Sequence, residues 1–182
     1  MAFEDPYDVQ NPTDGDDILS AYGDILRQDA LAAIGSPRVR VHRTTVQSIP
    51  HDTLTKLTFD AAMINSHAMW ASGVSDRLVQ PAGWSADMFL GAHVRWETST
   101  GGTRRYAEIQ VNEAVKVDDD EGSLSASGFA ANKISTLWFP VPADYFTLHV
   151  YQDSGTNLNV EVDGYAGTVF WAAFAGLHGV AG

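Results

Sequence analysis

The run Val141-Pro-Ala-Asp-Tyr-Phe-Thr-Leu-His-Val-Tyr-Gln-Asp-Ser-Gly155, followed by Leu158-Asn-Val-Glu-Val162 and Thr168-Val-Phe-Trp-Ala-Ala-Phe174, decides the fold class. Phe146, Leu148 and Val150 alternate with Thr147, His149 and Tyr151, and Leu158, Val160 and Val162 alternate with Asn159, Glu161 and Asp163. A period of two is the signature of half-buried antiparallel strands, because successive side chains point to opposite faces of a sheet. Asp153-Ser-Gly155 supplies a turn between the first two runs. The third run carries no polar alternation, which suits a strand covered on both faces, by a second sheet or by neighbouring subunits.

Composition sets the outer limits. At 182 residues and 45% hydrophobic content the chain can bury one good core, with an appendage. Its net charge of -12 comes from 23 acidic against 11 basic residues, and Arg104-Arg105 is its one basic cluster. Such a surface repels a nucleic-acid backbone, so DNA and RNA are set aside as partners. The absence of cysteine excludes disulfides and thiolate metal sites. Met1-Ala-Phe-Glu-Asp5 lacks the basic start and apolar run of a secretory signal, so export by that route is not expected. The uncharged stretch 164–182 approaches the length of a membrane span, but Gly164, Gly167, Gly176, Gly179 and His178 interrupt it. A strand followed by a small-residue tail is the better reading, with no membrane insertion.

Along the chain, residues 1–13 are acidic and polar with Pro6 and Pro12, and read as an extended arm. Thr13-Asp-Gly-Asp16 has the form of a helix cap. From there Ile18, Tyr22, Ile25, Leu26 and Ile34 recur on one side, predicting an amphipathic helix that Gly35 and Pro37 end. At Arg38 the period changes from 3.6 to 2, which places a boundary between a 1–36 arm-and-helix segment and a 37–182 head. Further strands are expected over 38–42, 55–60, 87–97, 104–112 and 134–139. Turns are expected at Gln80-Pro-Ala-Gly83, Ser99-Thr-Gly-Gly102 and over 118–123. Many short strands without a second helix predict a mainly β, antiparallel jelly-roll sandwich.

The order of these features resembles the globular-head jelly roll shared by complement heads and tumour-necrosis-factor-like ligands. The likeness runs through Ser48 to Asp60, the Pro81-Ala-Gly83 turn, Met88 to Trp96, and Arg105-Tyr-Ala-Glu-Ile-Gln-Val-Asn112. It continues with Ala143-Asp144, where that family has Gly-Asp, and with the aromatic strand over 168–174. The N-terminal Asn11-Pro-Thr-Asp-Gly-Asp-Asp-Ile-Leu-Ser-Ala-Tyr22 is similar to attachment segments of tailed-phage virion proteins. Together the resemblances imply a homotrimer on a virion surface, either a head decoration or a minor tail or fibre protein. Its partners would be capsid or tail proteins. The alternative is a receptor- or carbohydrate-binding module directed at a host-surface glycan.

Chemistry is sparse in the pattern. Asp118, Asp119, Asp120 and Glu121 form the one dense carboxylate run and are the candidate calcium ligands, since hard cations take several oxygen donors. They lack the alternation of a dedicated calcium loop, and a solvated acidic turn is the expected reading, with no cofactor. His42, His51, His67, His93, His149 and His178 are scattered without zinc-ligand spacing. No nucleophile elbow, phosphate loop or catalytic cysteine is present, so the expectation is a non-enzyme. Tyr145, His149, Tyr151, Phe170 and Trp171 are the candidate trimer-interface residues, and most tryptophans are expected in the core.

Overall fold

A computed structural model describes residues 35–84, 87–122, 124–162 and 167–174. The arm and the helix face of Ile18, Tyr22, Ile25, Leu26 and Ile34 lie outside the described residues, as do Tyr165 and His178. The strands are β1 (Arg38–His42), β2 (Gln47–Ile49), β3 (Thr55–Lys56), β4 (Ala61–Asn65), β5 (Leu78–Val79), β6 (Met88–Arg95), β7 (Arg105–Val111), β8 (Val115–Gly122), β9 (Ala131–Trp138), β10 (Tyr145–Gln152), β11 (Leu158–Val160) and β12 (Val169–Phe174). They form a five-stranded first sheet in the order β4-β1-β12-β6-β9 and a second sheet in the order β3-β10-β7-β8, with β5 paired to β10. A small β11-β2 sheet completes the set. All pairings are antiparallel, and the chain crosses repeatedly between sheets. The architecture is a jelly roll.

The core is made by alternation. Val39 and Val41 of β1, Met88, Leu90, Ala92 and Val94 of β6, and Phe170 and Ala172 of β12 turn inward from the first sheet. Ala107 and Ile109 of β7 and Phe146, Leu148 and Val150 of β10 meet them from the second. Each such aliphatic or aromatic side chain contributes roughly 1.5–3 kcal/mol when fully buried. The last strand shows the alternation that its uniformly apolar sequence hid: Phe170, Ala172 and Phe174 are buried, whereas Trp171 and Ala173 are half-buried on the outer face. It lies at the centre of the first sheet, paired with β1 on one side and β6 on the other.

One polar joint ties the sheets. Asn132 of β9 is fully buried; its Nδ2 donates to the carbonyls of Arg105 (2.9 Å) and Asp120 (2.8 Å), while its Oδ1 accepts from the Trp96 indole (2.7 Å). Arg105, also fully buried, donates to the carbonyls of Gly101 and Arg104. Burial pulls its guanidinium below the usual arginine range, and the nearby Asp153 carboxylate offsets part of that.

Two expectations are corrected. Residues 118–121 are not a turn but part of β8, paired along Ile109–Tyr106. Their turn-like composition reflects an edge strand, wet on its outer side. The strand expected over 55–60 shrinks to Thr55–Lys56, because Phe59 leaves the ladder to bond the Ser75 carbonyl and pack on Phe170. The β7–β8 turn takes Asn112 and Glu113 into left-handed backbone, both at φ 54°, as a type I′ hairpin requires.

Ala143, which stands where the resemblance places a glycine, also has a left-handed backbone, at φ 73°. The next residue holds it there: Asp144 accepts from the Val141 amide (2.9 Å) and from Asn112 Nδ2 (2.8 Å). Left-handed backbone costs an L-residue roughly 1–2 kcal/mol. Ala143→Gly is therefore expected to stabilise by about 0.5–1 kcal/mol once glycine's unfolded-state entropy is counted. That is roughly 1–4 °C in melting temperature; an unchanged or lower midpoint in a thermal melt would show that the site is not strained.

Candidate functional site

The outward faces of the two sheets differ in kind. The strands of the first sheet read Arg-Val-Arg-Val-His, Ala-Ala-Met-Ile-Asn, Met-Phe-Leu-Gly-Ala-His-Val-Arg, Ala-Asn-Lys-Ile-Ser-Thr-Leu-Trp and Val-Phe-Trp-Ala-Ala-Phe. None of the chain's 23 acidic residues lies on them. Register puts Arg38, Ala173, Phe89 and Leu137 in one row across the outer face, and Ile64, Arg40, Trp171, Gly91 and Ser135 in the next. Ile64 on β4 is 44% exposed, Phe89 on β6 54% and Leu137 on β9 41%, so the sheet presents apolar side chains to its outside from both edge strands as well as from β6. Phe139 and Val141, just beyond β9, are more exposed still.

Trp171 is the middle of this face. It can lie flat over the neighbouring strand because Gly91 has no side chain: a Cβ there would overlap the indole ring. The ring stands between two shallow hollows. One, of about 330 Å³, is walled by Arg38, Arg40, Ile64 and Ala173. The other, of about 390 Å³, is walled by Arg40, His93, Lys133 and Ser135. The result is a ridge flanked by hollows, apolar in the middle and basic around it.

The outer face of the second sheet is polar, and its groups bond to one another. Glu108, at 7% exposed, accepts from the Tyr106 hydroxyl (2.6 Å) and from the Gln110 amide. Burial, with that carboxylate, pushes the Tyr106 hydroxyl up to about 12. Lys116 reaches Asp119 (2.9 Å), Arg104 reaches Glu121 (3.0 Å), and Lys56 bridges Asp76 (2.5 Å) and Glu113 (2.7 Å). The Arg77 guanidinium beside it, with Lys56, holds the Asp76 carboxyl at about 2.

This geometry separates the five expected interface residues. Tyr145, His149 and Tyr151 lie on the polar face, where Arg77 covers the Tyr145 ring at 4.4 Å and Tyr151 donates to Asp52. Phe170 is fully buried in the core of its own chain, 5.9 Å from Phe59. Trp171 alone is on the apolar face. Ile64, Phe89 and Leu137, which that face exposes, and the exposed Phe139 and Val141 beyond β9 were not singled out from sequence. The signal was present for Phe89, which alternates with Met88 and Leu90, but alternation does not say which face is covered.

The acidic run does not converge. Asp119 and Glu121 project outward to Lys116 and Arg104, while Asp120 accepts from Asn132 Nδ2 and the Lys133 amide (both 3.1 Å). Neighbours on a strand face opposite ways, and among the described residues no group of three or more acidic or histidine side chains is placed to hold a metal ion.

No family model matches the sequence, and no curated protein matches it. Solved structures do. Murine APRIL is similar with a TM-score of 0.60 at 8% identity, over 77% of this chain and 99% of that one. The globular domain of zebrafish complement 1qA protein is similar with a TM-score of 0.56 at 12% identity, over 76% of this chain and 96% of that one. These likenesses establish the fold as the jelly roll of tumour-necrosis-factor-like and complement globular-head domains. At such identities they carry architecture and no functional residue.

Two histidines predict a pH response. Burial lowers the pKa of His93, partly offset by the Gly167 carbonyl, with Lys133 and Arg95 lowering it further. Burial also lowers the pKa of His149; Glu108, Glu113 and Asp76 oppose this, and Lys56 adds to it. A depressed histidine keeps the fold neutral while the unfolded chain takes up protons. Its contribution is whole above the ordinary histidine value of about 6.5 and is lost as pH falls below it. The melting temperature of His149→Gln should fall less than that of the parent between about pH 7.5 and about pH 5.5. Parallel pH profiles for the two proteins would refute the assignment.

Proposed function

We propose that this chain is a non-enzymatic structural protein of a tailed-phage particle, a homotrimeric jelly roll displayed on the virion surface. It serves there as a head decoration or as a minor tail or fibre protein, held through residues 1–36. The observation that carries the reading is the apolar, carboxylate-free outer face of the first sheet, on a chain whose net charge is -12. Exposed Phe89, Leu137 and Ile64 in register around Trp171 form a patch that a second copy can cover.

A three-fold ring joins two different surfaces of each copy, unlike a two-fold dimer. The basic margin of the apolar face, with Arg38 and Lys133, would favour an acidic surface on the neighbouring copy. Strand β8, with Asp118, Asp119, Asp120 and Glu121, ends its sheet and supplies one. The apolar centre would give affinity and the charges register. Three linked heads also raise the effective concentration of any weak surface contact. The N-terminal sequence supports the particle location through its similarity to attachment segments.

Light scattering at micromolar concentration is expected to give three times the chain mass. Phe89→Asp and Leu137→Asp place carboxylates in the patch without touching the core, and should release folded monomers. A monodisperse parent monomer sinks the trimer.

Residues 1–36 end just before β1, and the Pro37 carbonyl already accepts from the Phe174 amide at 3.1 Å. Deleting 1–36 should leave a cooperatively melting β head that no longer joins assembled particles. A truncated head that still incorporates would move attachment onto the jelly roll, and one that cannot fold would make the segment part of the core.

A further inference from the structure

The hollow of about 390 Å³ beside the Trp171 ring gathers hydrogen-bond donors and cations from neighbouring strands. Arg40 comes from β1, His93 from β6, and Lys133 and Ser135 from β9, while Trp171 of β12 forms one wall. Pairing fixes their arrangement. Lys133 stands directly opposite His93, and Ser135 stands opposite Gly91, where the indole lies in place of a side chain. Directly opposed side chains on one sheet face have Cβ atoms about 4.5–5.5 Å apart, and like charges so placed repel. None of the described residues in the wall is a carboxylate.

Two of these groups are suited to a negatively charged guest. The Gly167 carbonyl lies 3.1 Å from His93 Nδ1. A carbonyl only accepts, so Nδ1 carries the hydrogen, and the neutral ring has Nε2 as an acceptor. Protonation turns Nε2 into a second donor and gives the ring a full positive charge. The charged and titratable groups around this ring are Lys133 on β9, Arg95 on β6, and Arg40 and His42 on β1, with Glu161 engaged by Arg95 at 2.6 Å. Burial, with Lys133 and Arg95, favours the neutral ring until a negative charge arrives. Lys133 bonds Asp120 through its backbone amide, and among the described residues its ammonium makes no ion pair.

The structure assigns this hollow as a site for one oxyanion group, a carboxylate, sulfate or phosphate, held between Lys133, Ser135 and an imidazolium at His93. Charge selects the class: a cation would meet Lys133, and a neutral ligand would leave the Lys133 charge unanswered. The net charge of -12 disfavours an extended polyanion, so the guest is a single group and not a nucleic-acid backbone. The volume lies in the range of small-molecule sites and leaves room along the indole for the body that carries the group. That body is either a small ion from solution or an acidic side chain of a neighbouring copy. The walls belong to one chain, so the site does not depend on trimer formation. Binding takes up a proton at His93, and affinity therefore rises as pH falls through the histidine range.

The test titrates the full-length protein with sodium sulfate, which stays fully charged across the histidine range, at an ionic strength held constant with sodium chloride. The imidazole nitrogens are followed by NMR, with His93→Gln to assign the signal. At about pH 6 sulfate should bind saturably with a dissociation constant of about 10 mM or tighter, and roughly fivefold or more weakly at about pH 7.5. Sulfate should raise the titration midpoint of His93 and leave that of His42, on the same face but outside the hollow, in place. Lys133→Gln, at an exposed position, should weaken sulfate roughly threefold or more while the melting temperature holds. Ser135→Asp puts a carboxylate into the hollow; it should abolish sulfate binding and raise the His93 midpoint. Light scattering during the titration separates the sources: a falling mass shows sulfate displacing a neighbour's carboxylate, and a constant mass shows a site for a free ion. The proposal is overturned if sulfate at about 100 mM produces no saturable change, if its affinity is equal at the two pH values, or if Lys133→Gln binds it as the parent does. A parent that scatters as a monomer would sink the trimer and leave each of these outcomes readable.

Discussion

Strand β12 is the constraint on which the other features depend. It sits at the centre of the first sheet between β1 and β6, and neither of its faces carries a charge. Its inward residues, Phe170, Ala172 and Phe174, close the core against Phe59 and the second sheet. Its outward residues, Trp171 and Ala173, have apolar neighbours in Phe89, Leu137 and Ile64, and Gly91 exists at its position to let the indole lie down. A strand apolar on both sides makes two demands, and the core meets only one of them.

Charge distribution sharpens the asymmetry. The acids of the chain avoid the first sheet entirely, while β7 and β8 of the second carry Glu108, Asp118, Asp119, Asp120 and Glu121. On the second sheet Glu108, Asp119 and Glu121 are held by Tyr106, Gln110, Lys116 and Arg104 of the same chain, so its outer face is polar and largely bonded within itself. Exposed ion pairs of this sort contribute little to stability, but they keep one side of the molecule solvated and leave the other as the side to cover. Between the two sheets, Asn132, Trp96 and Arg105 make a buried polar joint that specifies how they stack.

The loops carry a different kind of specificity. Three segments distant in sequence meet around Trp84 only because β5 pairs with β10 and the turn after β4 packs beside it. Left-handed backbone at His67, Ala68 and Ala143 persists there because the surrounding contacts enforce it, as Asp144 does for Ala143. This is the usual division of labour in a jelly roll: the sheets give a stable frame, and the loops at its ends hold the variable chemistry.

Sequence by itself determined the class of fold. The alternation of Phe146, Leu148 and Val150 with Thr147, His149 and Tyr151 survives intact as β10, because a period of two admits only one assignment of faces. The turns at Pro81 and at the glycines after Ser99 were legible for the same local reason. Strands of two or three residues such as β2 and β5 were not, since their pairing depends on distant partners. Nor was β8, whose acidic residues look like a turn until an edge position supplies solvent on one side and Asn132 and Lys133 on the other. Alternation says which residues share a face, but not what that face meets. Only tertiary structure could send Phe170 to the core and Trp171 outward, place Tyr145, His149 and Tyr151 on the polar sheet, and bring Gln80 and Trp84 together, because those outcomes depend on which strands become neighbours across the sandwich.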